Sequence, residues 1–150
     1  MTGSLHAFHQ GTDAAADGSF TVTLAGGGHP PALALRADGT VEAVSTIGGR
    51  LIGLLPDLHF VQTTTRLAPG DALLLYTDGL IEARTADGSM LGEQGLGRHL
   101  SGHATRGADS LPATVHKLFT DLGTGISDDT ALLALSVPPR HTRPPAQENR

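Results

Sequence analysis

Residues 67–82 read Leu-Ala-Pro-Gly-Asp-Ala-Leu-Leu-Leu-Tyr-Thr-Asp-Gly-Leu-Ile-Glu. Pro69-Gly70-Asp71 is turn chemistry, Pro fixing its own φ and Gly accepting a positive one. Behind the turn, Ala72–Thr77 is a near-continuous apolar run, the pattern of a strand covered on both faces. Asp78 stands at the end of that run, followed by Gly79. A carboxylate at the end of a buried strand is partly desolvated and requires a counter-charge or hydrogen-bond donors.

Working outward, the sequence before residue 67 reads as short strands joined by turns. Leu5–Gln10 and Phe20–Ala25 flank the polar stretch Gly11–Ser19 and are expected to pair as an antiparallel hairpin. Ala32–Arg36 and Val41–Ser45 are separated by Ala37-Asp38-Gly39-Thr40, where Asp-Gly is a strong hairpin signal. Phe60–Arg66, rich in Thr and Val, fits a half-exposed strand. After residue 80 the period changes. Gly92–His103 is a weak helix candidate, diluted by Gly95 and Gly97 at about 1 kcal/mol each. Over Asp109–Leu122 the apolar residues Leu111, Val115, Leu118, Phe119 and Leu122 line one helical face. Asp109 or Ser110 suits the start of that helix and Gly123 its end. Thr130–Val137 returns to strand immediately after Asp128-Asp129. Pro138–Arg150 holds four Pro without apolar periodicity and is expected to be a disordered tail following a single domain over residues 1–137.

Composition narrows the function. The chain has 150 residues, enough for one domain with a real core. Ten basic side chains stand against fifteen acidic ones. The last thirteen residues hold three Arg and one Glu, so residues 1–137 carry seven bases against fourteen acids. That balance argues against a nucleic-acid or anionic-membrane partner. The absence of Cys excludes disulfides, thiolate zinc sites, iron–sulfur clusters and Cys nucleophiles. The longest apolar runs have five members, against the roughly 20 residues a membrane span needs. No signal peptide is readable after Met1, so the expected location is cytoplasmic.

Two acidic positions remain as carriers of chemistry. Asp78 ends one apolar strand, and Asp128-Asp129 precede another, Ala131-Leu132-Leu133-Ala134-Leu135. If the two strands are neighbours, these carboxylates converge. The nearest base is Arg84, so a cation is the economical neutraliser, and all-oxygen ligation selects Mg²⁺ or Mn²⁺. A turn or helix cap at Asp78-Gly79, and a turn at Asp128-Asp129, explain the same residues without chemistry. Spacing alone leaves both readings open. His99 and His103 lie one helical turn apart, but without an intervening Glu the pair reads as solvated histidines rather than zinc ligands. Gly26-Gly27-Gly28-His29 lacks the Gly-Lys-Ser/Thr ending of a phosphate loop and runs into Pro30-Pro31, so it reads as a tight turn.

Four segments, in order, resemble the PPM-type (type 2C) serine/threonine protein phosphatases of the SpoIIE-like bacterial branch. They are Leu24–Pro31 with its Gly-His-Pro-Pro ending, Ile52-Gly53-Leu54-Leu55-Pro56-Asp57, the opening stretch Leu67–Glu82, and Asp128–Leu133. The resemblance implies an α+β fold, a four-layer α-β-β-α sandwich of mainly antiparallel sheets, here partial. It implies a dinuclear Mg²⁺ or Mn²⁺ centre between the sheets, with Asp78 and Asp128 at the positions of metal-ligating aspartates and Asp129 supporting them. It further implies hydrolysis of phosphoserine or phosphothreonine by a metal-activated water. The substrate expected by resemblance is a phosphorylated anti-sigma-factor antagonist, in partner-switching control of sigma factors. The family's Gly-Gly-Asp-like and Asp-x-x-Gly-His-Gly-like motifs do not occur in this sequence, and Gly26 replaces the family's Asn. The chain therefore reads as a truncated phosphatase domain, with a non-catalytic, protein-binding remnant (a pseudophosphatase) as the alternative. Either way, uncovered strands predict self-association.

Overall fold

A computed structural model describes residues 6–8, 15–26, 29–46, 61–101, 111–126 and 129–140. Strands β1 (His6–Phe8), β2 (Phe20–Gly26) and β5 (Val61–Leu67) form one antiparallel sheet in the order β1-β2-β5. Strands β3 (Ala32–Leu35), β4 (Val41–Val44), β6 (Ala72–Tyr76) and β7 (Leu132–Ser136) form a second, in the order β4-β3-β6-β7. The hairpin expected between the first two strands is present, with His6 opposite Ala25 and Phe8 opposite Thr23. The Asp-Gly hairpin joins β3 to β4: Gly39 adopts φ 91°, and the Arg36 amide donates to the Thr40 carbonyl at 2.8 Å.

Every residue of β6 is buried, as its unbroken apolar sequence requires. Alternate side chains serve two cores. Leu73 and Leu75 face the other sheet, packing with Leu24, Leu67, Ala32, Ala34 and Val137. Ala72, Leu74 and Tyr76 face a helical layer. That layer consists of α1 (Asp78–Ile81), α2 (Gly92–Ser101) and α3 (Leu111–Leu122), followed by a 3-10 turn at Gly123–Gly125. Leu96 and Leu100 of α2 are fully buried there, and burying two leucines outweighs the helix cost of Gly95 and Gly97. Among the described residues this makes three layers, helix on sheet on sheet. The outer face of the β1-β2-β5 sheet is polar at Gln62, Thr64 and Arg66, all exposed.

The turn before β6 is held by its own aspartate. Buried Asp71 accepts hydrogen bonds from the amides of Ala37 (2.9 Å) and Ala68 (3.0 Å) and from Arg36 Nη1 (3.1 Å). Gly70 takes φ 92°, and its amide donates to the Val137 carbonyl at 2.8 Å, tying the turn to the end of β7. The same Arg36 guanidinium reaches the Arg66 carbonyl of the opposite sheet, so one half-buried ion pair ties both sheets together at this end.

β7 pairs with β6, Leu133 opposite Leu75 and Leu135 opposite Leu73. Those partners place Leu133 and Leu135 on the intersheet face, yet they are 54% and 37% exposed. The intersheet core covers β6 and stops short of β7, which leaves an apolar edge. Beyond β7, Arg140 donates to the Ala16 carbonyl at 3.2 Å; residues 141–150 of the expected tail lie outside the described residues.

Candidate metal centre

Antiparallel pairing of β6 with β7 brings the end of the first strand to the start of the second, Tyr76 opposite Leu132. The condition for the two acidic positions to meet is therefore satisfied. β3 begins at the same end of the sheet, because Leu33 pairs with Leu74. His29–Pro31 lead into β3 at this end, where His29 Nδ1 bonds the Pro30 carbonyl at 2.9 Å. This segment leads into a strand rather than a helix, as its prolines predict.

Three contacts fasten the segment before β7 onto the end of β6. The Thr77 amide donates to the Ala131 carbonyl at 3.1 Å. The Thr77 hydroxyl donates to the Asp129 carbonyl at 3.3 Å and accepts from the Ala131 amide at 3.0 Å. Gly79 is buried beneath the same segment: a Cβ there would stand 2.7 Å from the Asp129 oxygen and 3.0 Å from Thr130 Oγ1. Only glycine admits so close an approach. One residue layer further on, the Arg84 amide donates to the Gly125 carbonyl at 2.9 Å, and a Cβ on Gly125 would lie 2.0 Å from the Arg84 oxygen. Gly125 and the segment from Asp129 to Ala131 are thereby stapled along α1 and its exit.

Asp78 opens α1 and is exposed; Asp129 is exposed on the facing segment. Asp128 lies outside the described residues. Leu80, fully buried in the helical core, fixes the turn that carries Asp78. The Arg84 guanidinium is committed elsewhere, donating to the Gly88 carbonyl at 3.0 Å in the 84–90 hairpin. Among the described residues it forms no ion pair with Asp78 or Asp129. Tyr76, just beneath, is buried, its hydroxyl lacks a hydrogen-bond partner among the described residues, and burial, with Glu93 adding to it, pushes its pKa up to about 12.

The donors present are carboxylate oxygens, which suit a hard divalent cation. Among the described residues no three His, Cys, Asp or Glu side chains converge on one ion position. Of the three acidic positions, the described residues supply two carboxylates, Asp78 and Asp129. Of the histidine pair, His99 lies on α2 and His103 falls outside the described residues. The sequence reading overlooked Thr77. Its signal was a hydroxyl residue wedged between an apolar strand and Asp-Gly.

A sequence profile of the Stage II sporulation protein E (SpoIIE) family matches residues 15–138. The chain belongs to the SpoIIE family. The phosphatase domain of SpoIIE from Bacillus subtilis superimposes with a TM-score of 0.63 at 14% identity, covering 95% of this chain and 59% of that one. The RsbU and RsbW domains of Rv1364c from Mycobacterium tuberculosis give 0.63 at 29% identity, over 81% of this chain and 34% of that one. Protein IcfG from Synechocystis is 26% identical over 109 residues, 72% of this chain and 17% of that protein. The chain thus spans well under two thirds of each of these relatives. PPM serine/threonine phosphatases share the fold, so the two-sheet, helix-backed architecture is that of a PPM-type domain. No helix among the described residues is long and apolar enough to cross a membrane.

Proposed function

We propose that this SpoIIE-family chain carries part of the metal site of a PPM-type phosphatase acting on phosphoserine or phosphothreonine in a protein. The carrying observation is the fastening of the Asp129–Ala131 backbone to Thr77 and Gly79, which sets the Asp78 turn against the segment that begins at Asp129. Asp78 and Asp128 would each offer carboxylate oxygens to Mg²⁺ or Mn²⁺, with Asp129 beside them. These residues would hold a cation whose Lewis acidity would supply water activation and charge neutralisation at a phosphoryl oxygen. The chain's own part is to present the carboxylates at a sheet end and keep Arg84 out of the way. The motif resemblance favours a phosphorylated anti-sigma-factor antagonist as the protein substrate. The location we propose is the cytoplasm.

One observation favours a second reading. Because the sequence lacks the family's Gly-Gly-Asp-like and Asp-x-x-Gly-His-Gly-like motifs, the 150-residue chain is expected to bind cation weakly and to act as a phosphoprotein-binding module without turnover. Hydrolysis of p-nitrophenyl phosphate with Mn²⁺, alongside capture of a phosphorylated against an unphosphorylated antagonist, decides between the two. Selective capture with background hydrolysis supports the module; metal-dependent turnover supports the enzyme; neither removes both.

A further inference from the structure

We propose that the outer edge of β7 is an interface between two copies of this chain, paired antiparallel about a two-fold axis at Ala134. β7 ends the order β4-β3-β6-β7, so among the described residues β6 pairs with one side of it and no strand with the other. An edge strand offers unpaired N–H and C=O groups, and proteins blunt such edges with charge, Pro or a bulge. Two other edge strands carry charge: β4 has Glu42, paired to Arg36, and β5 has Arg66, paired to Asp17. From Thr130 to Val137 there is neither a charged residue nor a proline. Leu133 and Leu135 stand exposed beside this bare edge.

Charge and symmetry name the occupant. The chain carries a net charge of −5, so two copies repel wherever their carboxylates face each other. Along β7 they have none to bring together. Residues directly opposite in a sheet point to the same side, so a strand paired with its own copy must keep its two faces. Centring the pair on Ala134 does this and engages all five residues of β7. Leu133 then lies opposite Leu135 of the second copy, and Leu132 opposite Ser136. The exposed leucines of both copies meet on the intersheet face, where they extend the core of Leu24, Leu73 and Leu75 from one copy into the next. Both bare edges are consumed by this contact, so it closes at a dimer.

The test is analytical ultracentrifugation of the full chain over a concentration series, beside Leu133→Lys and Leu135→Lys, with a melting curve for each. A dimer is expected for wild type, with its dissociation constant raised at least about tenfold in either variant, since each lost leucine counts twice. A monomer at every concentration overturns the proposal and leaves the edge to a strand of another protein. A dimer untouched by both substitutions overturns it as well. Because the chain has no Cys, one introduced thiol reports the register whatever becomes of the lysine variants. Across the axis, Ala134→Cys brings two Cα atoms to about 4.5–5.5 Å, within disulfide range, whereas Ser136→Cys leaves them about 14 Å apart. Mild oxidation should link the first into a covalent dimer and spare the second. Equal linking of the two, or none, overturns the two-fold at Ala134.

Discussion

Replacing Gly79 by Ala probes the closest approach in the acidic end. The added methyl meets the Asp129 carbonyl oxygen at 2.7 Å and Thr130 Oγ1 at 3.0 Å, where ordinary contact begins at 3.4 Å. The backbone of residue 129 must withdraw by the difference, 0.7 Å. It is not free to do so, because the Thr77 hydroxyl already reaches the Asp129 oxygen at 3.3 Å and a further displacement breaks that bond. Overpacking of this kind costs about 1–3 kcal/mol, and the broken hydrogen bond about 1 kcal/mol more. Against it stands the helix preference of Ala over Gly, about 1 kcal/mol. The net loss is about 1–3 kcal/mol, or a fall in Tm of about 2–12 °C at this chain length. The control is Gly97→Ala in α2, where a Cβ meets nothing within 4 Å and the substitution should stabilise by up to about 1 kcal/mol. Thermal melts followed by circular dichroism read both. If Gly79→Ala melts with or above wild type while Gly97→Ala behaves as expected, the close-approach argument is refuted.

Three other outcomes follow from the same structure. Asp71→Ala strips the acceptor from two amides and the Arg36 guanidinium, and should cost about 3 kcal/mol or more, seen as a Tm drop of about 6–12 °C. Tyr76 ionises near 10 when unfolded but only at about 12 when folded, so its contribution is whole below pH 10 and is lost as pH rises toward 12. Urea titrations should show wild type losing up to about 2–3 kcal/mol across that window and Tyr76→Phe losing less; parallel curves would contradict it. Truncation after Val137 removes only the exposed Arg140 bond to Ala16 among the described contacts, and Tm should stay within about 2 °C.

Much of the fold was legible because burial pattern and turn chemistry are local. The unbroken run from Ala72 to Tyr76 announced a strand covered on both faces, and it is one. The Asp38-Gly39 hairpin and the half-exposed strand at β5 were equally readable. In α3 the stripe of Leu111, Leu118 and Leu122 is buried as its spacing predicts, with Val115 and Phe119 packed alongside, and Gly123 at φ 51° ends it. Its expected caps, Asp109 and Ser110, lie outside the described residues. Long-range pairings were not legible. Arg36 meets Asp71 across 35 positions, and Thr77 meets Ala131 across 54, and no periodicity reports such distances. The exposure of Leu133 and Leu135 was hidden for a similar reason: an apolar strand pattern says which residues share a face, not whether another layer reaches it. At the site, the two carboxylate positions were readable as strand-end acids. That their strands are neighbours needed the β6–β7 register, and the glycine contacts at 79 and 125 needed coordinates.

The most direct test of the central claim is paramagnetic broadening of amide signals during a titration of the ¹⁵N-labelled chain with Mn²⁺. A cation held between the Asp78 turn and the segment before β7 broadens the amides of Gly79, Leu80, Asp129 and Thr130 first, and Asp78→Asn suppresses the effect. Broadening that begins instead around Asp87 or Glu93, or that is untouched by Asp78→Asn, would contradict a cation site at this end of the sheet.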